Sequence, residues 1–325
     1  MTVLLRDTDL PIGRSTLARI GVTALNLPAP GLGLLRTGNL RLGLGWLLVL
    51  PVTIAALVLA AALSPTPDVD AYLAISATLL VAAFAGLIVV LALTWRRSRT
   101  TAPLHWWNRW YALITIYVVS AVVSALMVDA IHGIYKPFYA PAASMVPTIL
   151  VGDNFLVDMR DDGPPRRGEI VIFDTPRGQW IKRVVAVGGD RIAVRGGVPI
   201  INGRSAMRQA AGRRSEMMGT ETISGEIFEE RLPGVRVTYR VLDLGPMTFD
   251  DMATITVPPG HFFAMGDSRD NSLDSRYSVE QGGVGMIANA RVVGRPLFIY
   301  WRDGRIMRGG KVNPSMGLEP APSTR

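Results

Sequence analysis

The chain has 325 residues, 49% of them hydrophobic, and a mean hydropathy of +0.29, which is too apolar for a soluble globule of this size. With no cysteine, and with His105, His132 and His261 as scattered single histidines, it offers no disulfide framework, thiolate site or zinc motif, and neither metal nor cofactor is expected. A net charge of +8 would suit nucleic acid, but much of the excess flanks apolar segments and no basic helix interleaved with aromatics occurs, so a nucleic-acid partner is not expected either.

Residues 1–41 carry the Gly-rich run GLGLLRTGNLRLG, which reads as a lead-in with tight turns. Two uncharged stretches follow, 42–63 and 71–95, each long enough to cross a hydrocarbon core of about 30 Å, with a shorter third at 110–128. The first long apolar run begins near residue 42, so these are read as anchors rather than a cleaved signal. Arg6, Arg14, Arg19, Arg36 and Arg41 precede the first stretch; Arg96, Arg97, Arg99 and Arg109 lie between the second and third. Between the first and second stand only Asp68 and Asp70. Arginines near span ends stay on the cytoplasmic side, so the N-terminus is predicted to be cytoplasmic and everything after residue 129 to lie outside the cytoplasm.

After residue 136 the pattern changes to short alternating runs bounded by Gly, Pro and Asp, among them NFLVDM, EIVIFD, QWIKRVVAV, RIAVRG, VRVTYRVLDL, HFFAMG and RVVGRPLFIYW. Period-two alternation without intervening helical patterns predicts a mainly antiparallel β domain over 129–310. The stretch 203–258 is more polar and reads as an insertion; 311–325 reads as a disordered tail. The expected fold is therefore an α-helical membrane anchor of about three spans joined to a β domain.

Three segments of that domain carry residues suited to chemistry. In FYAPAASMVPTILVGD, Ser144 sits on an irregular, proline-bearing loop just past the last span. In WIKRVVAVGGD, Lys182 is one of three lysines, with Lys136 and Lys311, in a chain whose other basic residues are arginine. A lysine within a strand suggests a task arginine cannot perform, because a desolvated ammonium can lose its proton near neutral pH and a guanidinium cannot. Strand alternation puts Trp180, Lys182, Val184 and Ala186 on one face, an apolar setting that would lower the lysine's pKa. In GDSRDNSLDSRYS, opposite charges and turn residues are packed into a self-bonded loop.

Together, in this order and downstream of membrane spans, the three segments resemble the bacterial type I signal peptidase family over roughly residues 136–300. SMVPT is similar to the nucleophile box of that family, WIKRVVAVGGD to its general-base box and GDSRDNSLDSR to its closing box. The resemblance implies that Ser144 attacks the scissile carbonyl of a preprotein's signal peptide, that Lys182 takes its proton and that Ser272 orients the lysine. It further implies an ion pair of Asp274 with Arg276, and Asp267 placed to meet Arg183. The run Phe138, Tyr139, Ala140, Pro141, Ala142, Ala143, with Met145 beyond the serine, would bind the substrate as an added strand next to the lipid bilayer. Small pockets there would select Ala-x-Ala sites.

The family usually has serine where Ala142 stands, and that hydroxyl donates to the oxyanion. Losing one such donor typically costs about 10²- to 10³-fold in rate. Ala142 is thus the best support for an alternative, a catalytically impaired membrane-anchored binding protein on the same scaffold. A Ser-Lys self-cleaving repressor would carry a DNA-binding module in place of the spans, and a Ser-His enzyme would need a histidine in the general-base strand.

Overall fold

In the computed structural model the chain divides into two units, residues 1–134 and 135–325. The structure describes residues 9–10, 15–63, 69–99, 102–103, 105–160, 163–218, 221–247, 250–307 and 312. Apart from Val312, the tail predicted over 311–325 lies outside the described residues, as do residues 1–8 and 11–14 of the lead-in.

The first unit pairs a two-residue strand β1 (Asp9–Leu10) antiparallel with β2 (Ala102–Pro103) and holds five α-helices among the described residues. They are α1 (Thr16–Ala24), α2 (Leu32–Arg36), α3 (Leu40–Leu63), α4 (Val69–Arg97) and α5 (Trp110–His132). Among the described residues two stretches are long and apolar enough to cross a membrane, Ala77–Arg97 with hydropathy 2.6 and Trp110–Ala130 with 2.2; the apolar stretch Leu40–Thr53 of α3 is shorter. Leu80, Phe84, Val119 and Leu126 project outward from these helices, which would be costly in water and is what a lipid-facing surface requires.

The glycine-rich lead-in, read from sequence as turns, is a packed element. Helix α2 buries Leu32, Leu34 and Leu35. Buried Asn26 accepts hydrogen bonds from the Gly31 and Gly33 amides at 2.9 and 3.1 Å and donates to Thr94 Oγ1 at 2.9 Å, tying the turn to α4. Gly31 has φ +111°, and a Cβ there would lie 2.3 Å from the Gly43 carbonyl oxygen, so only glycine fits.

The second unit is built of strands: β3 (Tyr135–Tyr139), β4 (Asn154–Asp158), β5 (Ile170–Thr175), β6 (Gly178–Val187), β7 (Arg191–Arg195), β8 (Val198–Ile201), β9 (Arg204–Ser205), β10 (Met207–Met218), β11 (Glu221–Arg231), β12 (Tyr239–Asp243), β13 (Met252–Thr256), β14 (His261–Met265), β15 (Ile287–Ala288), β16 (Val292–Arg302) and β17 (Arg305–Ile306). Every strand ladder among them is antiparallel. The largest sheet runs β15-β14-β6-β5-β16-β4-β3, with β17 on β16; a second runs β13-β7-β8-β9 and a third β10-β11-β12. Within 203–258, therefore, β9 and β13 belong to the second sheet, and residues 207–243 form the separate three-stranded one. The long strand β10 escapes a periodicity reading because Gly212, Arg213 and Arg214 interrupt the apolar alternation; it is held by pairing with β11, from Met207 opposite Arg231 to Met218 opposite Glu221.

Strand alternation holds along β6 only as far as Val184. Val184 pairs with Ala264 and Ala186 with Phe263, so Val185 is a bulge. Val184 packs with Val171, Phe173, Phe262 and Ala264, whereas Ala186 joins Ile192, Val194 and Phe263 in a different core. The single apolar face inferred from sequence for Trp180 through Ala186 thus ends at the bulge.

Candidate active site

Edge strand β3 leads to the loop that carries Ser144. Its pairing with β4 is extended by two backbone bonds of 2.9 Å, from the Ala140 amide to the Asp153 carbonyl and from the Gly152 amide to the Ala140 carbonyl. Pro141, which has no N–H to continue a ladder, turns the chain away. A short turn follows, closed by bonds from Val146 N to Ala143 O, Thr148 N to Met145 O and Ile149 N to Met145 O. The residues flanking the serine anchor it on two sides. Met145 and Ile149 sink into a core with Phe155, Ile170 and Ile172, while Ala143, Val146 and Leu150 pack against Ile227 and Leu242 of the three-stranded sheet. Burying each large apolar side chain contributes about 1.5–3 kcal/mol, enough to hold the intervening serine in one place.

Lys182 lies on β6, opposite Val171 of β5, and is only 4% exposed. Its Nζ donates to Ser144 Oγ at 2.7 Å and to the Ile181 carbonyl at 3.1 Å. Burial lowers its pKa to about 8 by penalising the ammonium, partly opposed by the charges of Asp274 and Asp267. A group poised there is protonated part of the time and can both take and return a proton. Among the described residues the Ser144 amide N–H donates to no acceptor, so it is free to meet a developing oxyanion.

The loop 266–276 closes the site. Asp267 receives two 2.7 Å bonds from Arg183 and one from the Thr148 hydroxyl, joining the loop to the strand of the lysine and to the turn of the serine. Asp274 accepts from the Gly266 amide and from Arg276, all at 3.0–3.1 Å, and both side chains are buried. The Ser268 amide donates to the Ser144 carbonyl at 3.1 Å. Gly266 presses against both partners: a Cβ there would lie 2.3 Å from Ser272 Oγ and 2.5 Å from the Ser144 carbonyl oxygen.

One expected contact is not made. The Ser272 hydroxyl, expected to orient the lysine amine, is buried with no hydrogen-bond partner among the described residues and lies against Gly266. The orienting bond on Lys182 comes instead from the Ile181 carbonyl.

Ser144 opens into a cleft of about 820 Å³. Phe138, Tyr139, Ala140, Pro141, Ala142, Ala143 and Met145 line one wall; Gln179, Trp180, Ile181 and Lys182 line another, with Asn271, Ser272 and Leu273 beyond. Ala142 is exposed. Sequence reasoning gave no role to Gly266 or Thr148, although both lie within the motif segments, and it missed Tyr239 and the buried pair of Glu230 with Arg269, whose Nη1 lies 2.9 Å from Glu230 Oε2. The available signal was Arg269 itself, a charge next to Ser268 and two residues from Asp267 with no local partner assigned to it.

The family model described as signal peptidase, peptidase S26, matches residues 107–301. A signal peptidase I from Pseudomonas fluorescens is 31% identical over 202 residues, covering 53% of this chain and 67% of the relative. A signal peptidase I from Bacillus amyloliquefaciens is 29% identical, covering 57% and 82%. One from Rickettsia typhi is 28% identical over 248 residues, covering 65% and 87%.

Proposed function

Because the chain belongs to the signal peptidase family, peptidase S26, we propose that it is a membrane-bound type I signal peptidase, a serine endopeptidase that removes signal peptides from exported preproteins after small-x-small sites. The observation that carries the residue assignment is the 2.7 Å contact of Lys182 Nζ with Ser144 Oγ at the floor of the cleft. In its neutral form the amine accepts the Ser144 proton as Oγ attacks the scissile carbonyl, and the resulting oxyanion is met by the Ser144 amide. The ammonium then protonates the departing amine. Water, deprotonated by the neutral lysine, hydrolyses the acyl-enzyme and releases the cleaved signal peptide. A neutral amine has no tautomer to select, so no acidic third member is needed.

The substrate lies extended along Phe138–Ala143. That assignment is supported by β3 being the last strand of its sheet among the described residues, and by small Ala140, Ala142 and Ala143 beside the nucleophile. The anchor has three spans, α3, α4 and α5, with the N-terminus in the cytoplasm and the β unit on the outer face of the bacterial cytoplasmic membrane; the arginines flanking the helices support this orientation. The test is processing of a preprotein by membranes carrying Ser144→Ala or Lys182→Ala. Each substitution is expected to abolish cleavage, and retained processing in either removes the assignment.

A further inference from the structure

We propose that Glu230, carried by the three-stranded sheet, is a positioning residue for the Ser144–Lys182 dyad and acts through Arg269 and Tyr239. The inference rests on the peptidase reading above and names what holds its two reacting atoms together.

Glu230 is fully buried at the end of β11. Its carboxylate accepts from Arg269, from the Tyr239 hydroxyl at 2.7 Å and from Arg208 at 3.4 Å. Burial alone would raise its pKa, but the charge and hydrogen bonds of Arg269 outweigh that and keep it ionised. A buried carboxylate held charged chiefly by the Arg269 guanidinium, with Arg208 at its edge, is an expensive arrangement. Its partners lie on two paths to the dyad.

The first path runs through Arg269. Its guanidinium, 1% exposed, also donates to the carbonyls of Gly266 at 3.3 Å and Gly197 at 2.8 Å. Its own amide donates to the Leu242 carbonyl at 2.9 Å, and its carbonyl accepts from Arg276. Arg269 is thus fixed at both backbone and side chain; it bonds the Gly266 carbonyl directly, and it follows Ser268, whose amide donates to the Ser144 carbonyl. The second path runs through Tyr239. Its ring lies 3.9 Å from the Arg183 guanidinium carbon, and Arg183 is the neighbour of Lys182 on β6 and the partner of Asp267. One carboxylate therefore fixes the backbone of the nucleophile on one side and the strand of the base on the other. The three-stranded sheet delivers it to Arg269 across 39 residues of sequence.

The test replaces the whole buried cluster by apolar residues of similar volume, Glu230→Met, Tyr239→Phe and Arg269→Met together, since such exchanges commonly preserve stability. Two readouts are taken in detergent. The first is kcat and KM for a signal-peptide substrate; the second is the titration midpoint of Lys182 in [13C]lysine-labelled protein, where only Lys136, Lys182 and Lys311 give signals. The expected result is near-wild-type melting, a kcat lowered about 10- to 100-fold with KM little changed, and a Lys182 midpoint moved upward from about 8 as water reaches the amine. A folded triple variant with wild-type kcat and an unmoved midpoint overturns the proposal. Should the triple variant fail to fold, Glu230→Asp, which keeps the charge and withdraws it by one methylene, decides the matter by the same two readouts. A wild-type protein that cleaves no signal peptide would refute the peptidase reading, while the Lys182 midpoints would still decide the positioning claim.

Discussion

The Ser268 amide donates to the Ser144 carbonyl at 3.1 Å, so the loop that carries Asp274 and Ser272 also holds the backbone of the nucleophile. Geometry at Ser144 is therefore set from outside its own turn, and substitutions in loop 266–276 should alter kcat before they alter substrate affinity.

Gly266→Ala is the sharpest case. The added methyl would fall 2.5 Å from the Ser144 carbonyl oxygen and 2.3 Å from Ser272 Oγ, and the first of these is backbone that cannot rotate away. A displacement of the nucleophile by about 1 Å lowers kcat on the order of 10²-fold. Steady-state kinetics on a signal-peptide substrate should show this loss with KM changed by much less.

The Lys182 amine sets the pH dependence. It must be neutral to accept the Ser144 proton, so kcat/KM should rise with pH through a midpoint near 8. Asp274 holds that midpoint up, and Asp274→Asn should shift it downward. The same substitution leaves the buried Arg276 guanidinium unpaired, which costs about 3–5 kcal/mol and should appear as a lower melting temperature.

Stability should show the opposite face of the same lysine. Its folded pKa, about 8, lies below its ordinary 10.5. Below about pH 8 both folded and unfolded chains carry the proton, and the folded state bears the full cost of burying the ammonium, roughly 3 kcal/mol for this displacement. Between 8 and 10.5 only the unfolded state is protonated, so the cost fades as pH rises. Lys182→Met should therefore be inactive yet melt higher than wild type at pH 6, with the advantage shrinking through that window. Equal melting at both ends of the window would contradict the burial account.

In the proposed mechanism Ala142 leaves the oxyanion without a side-chain donor. It is exposed and lines the cleft beside Ser144, leaving room for a hydroxyl. One well-placed oxyanion donor is worth about 10²- to 10³-fold in kcat. Ala142→Ser should accordingly raise kcat by about 10-fold or more at unchanged KM; no increase would mean that another donor already meets the oxyanion.

The periodicities made most of the fold legible. Uncharged runs marked the positions of α3, α4 and α5, and alternation located β4 to β7, β12, β14 and β16, because helix and strand register depends on residues within a few positions of one another. Local patterns failed where a distant partner decides. They missed α2, whose leucines are buried by neighbouring helices, and β10, whose polar strand is held by its pairing with β11. The phase of β6 was counted correctly to Val184 and lost at the Val185 bulge, which arises from pairing with β14.

The sequence by itself determined the chemistry available. A lone strand lysine in an arginine-dominated chain can give up a proton, and a serine on a proline-bounded loop can attack. Tertiary structure decided which of these groups meet. It brings Ser144 and Lys182, 38 residues apart, to 2.7 Å; it gives the orienting bond to the Ile181 carbonyl rather than to Ser272; and it places Glu230 under the closing loop. The lysine's pKa belongs to the same category, because desolvation is a property of everything packed around a charge, and no run of neighbouring residues specifies it.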